Sequence, residues 1–155
     1  MTKKHTFSKK RLTIYHCVLP LFLGGLIYVL FRSSDLRLFK LFGLLGIDDG
    51  VYNARIIFLE FKVWLPEWLY YSLPDGLWVY SFTSVLLIIW NNEIEKVKYL
   101  LLIPFFSGVL IEVFQALKLF EGTFDFLDLV FSIGGFLLSI FTINYQFKKN
   151  EKSIY

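Results

Sequence analysis

The sequence predicts an all-α integral membrane protein with four transmembrane helices, both termini cytoplasmic (N-in/C-in), and a long extracytoplasmic loop between helices 1 and 2. Three observations predict it. Of 155 residues, 56% are hydrophobic and only 19% charged, too apolar for a small soluble domain, whose surface-to-volume ratio demands polar cover. Four apolar runs recur along the chain, more than the remaining residues could bury. Lysines and arginines, finally, crowd the ends of those runs on one side, as membrane topology requires. A chain of this length forms one domain, here residues 1–155 as a single multi-pass unit.

The first span is predicted over 12–31, LTIYHCVLPLFLGGLIYVLF, long enough to cross a hydrocarbon core of about 30 Å. The preceding KKHTFSKKR has the character of a signal-peptide n-region. The run behind it is longer than a typical h-region and lacks a small-residue cleavage site, so it reads as a retained anchor.

Residues 32–73 form the outer loop. Within it LFKLFGLLGI, 38–47, is too short to cross and leads into the turn-rich DDGVYN. In RIIFLEFKVWLPEWLYY, from Arg55, the residues Ile57, Leu59, Phe61, Val63 and Leu65 alternate like a strand, whereas Ile57, Phe61, Trp64 and Trp68 share one helix face. In either form the segment lies on the membrane or caps the bundle.

The second span, 75–92, starts behind Pro74, where a missing N–H costs nothing. The third, 98–119, is apolar apart from Glu112, Gln115 and Lys118. The fourth, 125–147, is uncharged beyond Asp128. Orientation follows from Lys3, Lys4, Lys9, Lys10 and Arg11 before the first span, Lys96 and Lys98 between the second and third, and Lys148, Lys149 and Lys152 after the fourth. On the other side Arg32, Arg37, Lys40, Arg55 and Lys62 are diluted over the long loop, joined by Lys118. Trp90 suits the inner aromatic belt, Trp64 and Trp68 the outer one.

Several function classes find no support. A net charge of +3, with lysines gathered at the termini, offers no basic face for nucleic acid. The single Cys17 excludes an intramolecular disulfide and reads as a packed, inert thiol. His5 and His16 form no metal motif, and no metal site is expected. Ser81, Thr83 and Ser84 lack a nearby histidine or lysine base in the spans, which argues against a serine nucleophile. The pairs Gly24–Gly25 and Gly134–Gly135 read as helix-packing sites.

One stretch breaks the apolar pattern: EVFQALKLFEGTFDFLD, residues 112–128. It supplies the candidate polar pocket Glu112, Gln115, Asp125 and Asp128, joined by Asp75 and Ser132. The topology places all of them toward one leaflet, with Glu112 about 10 Å inside the boundary if its helix runs to Leu119. Glu112 and Gln115 are spaced i, i+3. Asp125, Asp128, Ser132, Gly135, Ser139 and Thr142 make one stripe of small and polar residues, so the third and fourth spans are expected to pack as a hairpin with these stripes facing. Asp75 and Asp125 also fit a purely structural role at helix N-termini. Glue alone explains Glu112 poorly. Interhelical hydrogen bonds in membranes average about 0.6 kcal/mol, whereas an acidic residue at mid-membrane costs roughly 2.5–3.5 kcal/mol.

The pattern E-x-x-Q, then a short turn with G-T-F-D, then D-x-x-D followed by Gly135, resembles the VanZ-like family of small bacterial multi-pass proteins. Glu112, Gln115, Asp125, Asp128 and Gly135 occupy matching places, and Asp75 behind Pro74 is similar to the aspartate that opens an earlier family helix. The resemblance covers about half the chain, residues 70–145. It departs from the family where Gly122 stands for an arginine, Ser132 for an asparagine, and Gly76 and Val79 for a lysine and a histidine. What it implies is a compartment, the cell membrane facing the envelope, more than a reaction.

Three functions fit these residues. The first is a multi-pass cell-membrane protein whose acidic pocket near the outer leaflet binds or handles an envelope molecule, with the lipid bilayer and a lipid-linked envelope component as partners. The second is a structural or assembly subunit in which the carboxylates only lock the bundle. The third is a membrane-embedded hydrolase using paired carboxylates. The sequence names no cofactor and no substrate.

Overall fold

A computed structural model of the chain describes residues 9–33, 37–119 and 124–152, and among these there are helices and turns but no strand. In chain order the helices are α1 (Lys9–Phe31), α2 (Arg37–Leu44), α3 (Asp48–Phe61), α4 (Glu67–Tyr70), α5 (Leu73–Ile89), α6 (Ile94–Ala116) and α7 (Phe126–Lys152). Three stretches, Lys9–Phe31, Ile94–Ala116 and Phe126–Asn150, are long and apolar enough to cross a membrane. The chain is a membrane-embedded helical protein. α5 is apolar but has only 17 residues, about 25 Å at roughly 1.5 Å per residue. The expected four spans thus resolve into three helices of spanning length and one shorter.

The short helix holds the centre. α5 packs against α1, α6 and α7 and buries Gly76, Val79, Tyr80, Ser81, Thr83, Ser84, Leu87 and Ile88. That position explains its polar content. Hydroxyls facing lipid would lack partners, whereas here Ser84 Oγ meets Ser139 Oγ at 2.8 Å, Tyr80 OH meets Thr142 Oγ1 at 3.1 Å, and Thr83 Oγ1 donates to its own helix at Val79 O, 2.8 Å. Asn92 and Asn144 are also hydrogen-bonded, tying the turn after α5 to α7. Asn91 and Asn92 stand in that turn at φ 53° and 59°, a left-handed conformation that asparagine tolerates better than most residues.

The α5–α7 contact corrects one expectation. The stripe on α7 faces α6 only at its start, where Ser132 lies against Gly108; below that, Gly135, Ser139 and Thr142 all turn to α5. A Cβ added at Gly135 would run into the carbonyl oxygen of Gly76, and one at Gly76 would sit 2.7 Å from Phe131 O. Two backbones therefore cross here without side chains between them, the close approach that small residues permit. The glycine pairs split as well. Gly24 lies under Trp78 and Gly135 under Gly76, but Gly25 and Gly134 meet nothing within 4 Å.

α1 contains one wide turn, Ile14–Val18, in which Leu19 N–H reaches back to Ile14 O. Pro20 follows it. A proline lacks the N–H that would bond residue 16 and its ring crowds that carbonyl, so the helix relieves the clash with a π turn. α5 clasps the turn: Ser81 Oγ donates to Cys17 O at 2.6 Å, and His16 Nδ1 meets Tyr80 OH at 2.5 Å. Cys17 is buried at 3% exposure.

The outer loop is helical where turns and an ambiguous strand were expected. DDGVYN opens α3, with Asp48 and Asp49 in its first turn, where carboxylates favour the helix dipole. The actual turn is at Gly46, φ +67°. From Arg55 the chain stays helical to Phe61, makes a tight 3₁₀ turn over Lys62–Trp64, and resumes at Glu67. Tyr70 covers Leu30 and Phe31 at the end of α1, and Trp68 stacks on Phe131 of α7, centroids 5.6 Å apart.

Candidate functional site

At one end of the bundle α1 stops, α5 starts, α6 stops and α7 starts. Between these ends lies a cavity of about 790 Å³. All six residues singled out from the sequence line it: Asp75 from α5, Glu112 and Gln115 from α6, Asp125 just ahead of α7, and Asp128 and Ser132 within it. The convergence follows from topology, since each polar residue stands where an apolar run begins or ends. α6 stops at Ala116 rather than Leu119, so Glu112 lies about 6 Å from the helix end, not about 10 Å. The chain then leaves through Lys118 at φ 57°. Residues 120–123 of the following turn lie outside the described residues.

The six do different work. Glu112 is 5% exposed, and its Oε2 accepts the backbone N–H of Asp125 at 3.0 Å. Asp125 Oδ1 in turn accepts the N–H of Leu127 at 2.8 Å. Both carboxylates thus satisfy donors that the first turn of a helix leaves unpaired. Ser132 is buried against Gly108, where an added Cβ would lie 2.7 Å from the serine Cβ. Asp75 faces Arg32 Nη2 at 3.9 Å, with side chains 30% and 26% exposed, a loose and partly buried pair. Gln115 lines the cavity half-buried. Asp128 is the exception: its Oδ1 is buried and has no hydrogen-bond partner among the described residues.

Arg32 also lines the cavity, a candidate that nothing in the sequence singles out. In the sequence it is one loop charge among several, yet it follows α1 directly and so arrives at the depth of Asp75. Its guanidinium lies 5.5 Å from the Tyr28 ring centroid and 5.1 Å from that of Tyr71, and Nη2 donates to Tyr71 O at 3.0 Å. Such contacts fix a guanidinium plane. Its Nε is buried without a hydrogen-bond partner among the described residues. Arg55, 8% exposed, stands behind it: Nη2 donates to the Arg32 carbonyl at 2.6 Å, Nη1 bonds Val29 O, and the Phe39 ring covers the guanidinium at 4.5 Å. These are the carbonyls that the end of α1 leaves open.

Five carboxylates, Glu67, Asp75, Glu112, Asp125 and Asp128, therefore share one cavity with a single described cation, Arg32. Asp75 lies within electrostatic range of Asp128, Glu112 and Arg32. Phe82, Ile111, Val79 and Trp78 complete the wall with apolar surface. Among the described residues no histidine, lysine or cysteine lines the cavity, and no group of three His, Cys, Asp or Glu is placed to hold a metal ion. The arrangement suits binding by charge and hydrogen bonds. Comparison with protein-family models, curated proteins and solved structures finds no match to this chain.

Proposed function

We propose that this chain is a multi-pass protein of the bacterial cell membrane, related to the VanZ-like family, that binds or handles a cell-envelope molecule in a pocket near the outer leaflet. α5 is the fourth crossing, its modest length accommodated because three longer helices enclose it. Both termini are cytoplasmic: Lys9, Lys10 and Arg11, Lys96 and Lys98, and Lys148 and Lys149 all stand at the end away from the cavity, as the positive-inside rule asks.

The observation that carries the reading is Asp128, whose buried carboxylate oxygen stands beside a roomy cavity with no hydrogen-bond partner among the described residues. Membrane proteins keep such a costly group where it has a task. A lipid-linked envelope component is the occupant that fits a polar chamber with apolar walls. For Glu112 and Asp125 a specific observation favours the second, structural reading, because both are engaged at the start of α7.

Native mass spectrometry of the protein purified in mild detergent tests this. Ser107 lines the cavity from an exposed position, so Ser107→Trp fills the space without entering the core. Wild type should retain an envelope-derived adduct that Ser107→Trp loses. Identical adduct spectra from the two proteins would refute a ligand pocket.

A further inference from the structure

Among the described residues four buried polar side-chain atoms lack a hydrogen-bond partner: Arg32 Nε, Ser72 Oγ, Asn92 Oδ1 and Asp128 Oδ1. Two of these belong to residues lining the cavity, and the two are opposite in kind. Arg32 Nε is a donor on a permanently charged guanidinium; Asp128 Oδ1 is a carboxylate acceptor. Native structures rarely leave such atoms unmade. Capping accounts for Glu112 and Asp125, and packing for Ser132. Neither accounts for Arg32 Nε or Asp128 Oδ1.

We propose that the cavity receives a zwitterionic head group, a phosphate diester seated at Arg32 and a primary ammonium at Asp128. The proposal rests on the cavity being a ligand site, as set out above. A purely anionic ligand would meet the surplus of carboxylates, and a purely cationic one would leave Arg32 Nε unmet. The guanidinium, steadied between Tyr28 and Tyr71, supplies the positive charge and N–H donors that phosphate oxygens match. The ammonium is primary because Asp128 needs an N–H donor, which a quaternary ammonium does not have. Phe82 and Ile111 line the same space while staying 43% and 47% exposed. Acyl chains attached to the head group therefore have an apolar way out to lipid.

The head group can arrive on a lipid or free in solution, and two arms distinguish these. In the first, the purified full-length protein in detergent is titrated calorimetrically with glycerophosphoethanolamine, glycerophosphocholine, ethanolamine and glycerol phosphate. In the second, micelles are doped with phosphatidylethanolamine or phosphatidylcholine, and retained lipid is read by native mass spectrometry. Glycerophosphoethanolamine should bind at least about tenfold tighter than each of the other three, the worth of one charge-assisted hydrogen bond. Asp128→Asn should abolish the preference over glycerophosphocholine, and Arg32→Gln the gain over ethanolamine. Preference for phosphatidylethanolamine in the second arm alone supports the proposal with a lipid as the source. Equal binding of the choline and ethanolamine esters, or of ethanolamine and its phosphodiester, overturns the zwitterion while leaving a ligand cavity. No preference in either arm overturns it too, and the Ser107→Trp comparison then decides the cavity separately. The wild-type ligand series stands even if a variant fails to fold.

Discussion

Arg55 holds Arg32 by its backbone: the Arg55 guanidinium donates to the Arg32 carbonyl at 2.6 Å and also bonds Val29 O. The cation of the cavity is thus anchored from the loop helix α3. Closing the last turn of α1 and placing the Arg32 side chain are one structural act.

Arg55→Leu should therefore cost about 1.5–3 kcal/mol, the range for hydrogen bonds made by a charged donor, because two carbonyls at the end of α1 lose their partner. Urea or thermal unfolding in detergent measures it. Arg55→Lys should recover only part, since an ammonium cannot span both carbonyls as the planar fork does. Wild-type stability in Arg55→Leu would contradict the capping role.

Adjacent glycines in α7 should behave oppositely. Gly135→Ala forces a methyl against the Gly76 carbonyl and should destabilise by about 1–3 kcal/mol, as overpacking does. Gly134→Ala meets open space and should be neutral or stabilising by up to about 1 kcal/mol through helix propensity. Gly135→Leu should disturb folding far more than Leu137→Ala, Leu137 being 58% exposed. Melting curves for the glycine pair check the crossing of α5 and α7; matching shifts would mean the helices do not cross there.

Orientation has its own test. In a Cys17→Ser background, cysteines at Ser33 and Phe124, both exposed at the cavity end, should react with a membrane-impermeant thiol reagent applied to intact cells. A cysteine at Asn91, in the α5–α6 turn, should react only after permeabilisation. The reverse pattern would place the cavity on the cytoplasmic side.

Much of this architecture was legible in the sequence because lipid leaves few options. An uncharged run such as 12–31 has one stable form in a bilayer, and polar residues at the ends of such runs must meet at one depth, which is why Asp75, Glu112, Gln115, Asp125, Asp128 and Ser132 share a cavity. Rotation about the helix axes was not legible. The α7 stripe of Ser132, Gly135, Ser139 and Thr142 is equally compatible with α6 and α5, and only the Gly135–Gly76 crossing decides it. DDGVYN misled because Asp and Asn favour turns and helix starts for the same reason, their short side chains bonding nearby N–H groups. Arg32 was hidden by its position one residue past the span, where it resembled any loop cation.

The measurement that bears most directly on the central claim is thermal unfolding in detergent of wild type, Glu112→Gln and Asp128→Asn. Glu112 Oε2 accepts the Asp125 N–H, and an amide oxygen accepts more weakly than a carboxylate, so Glu112→Gln should weaken that bond and lower the melting temperature. Among the described residues Asp128 Oδ1 has no partner to lose, so Asp128→Asn should melt at or above the wild-type temperature, as expected for a residue kept for binding at the expense of stability. A fall in Asp128→Asn as large as that in Glu112→Gln would show that both carboxylates only lock the bundle, and would contradict the binding pocket.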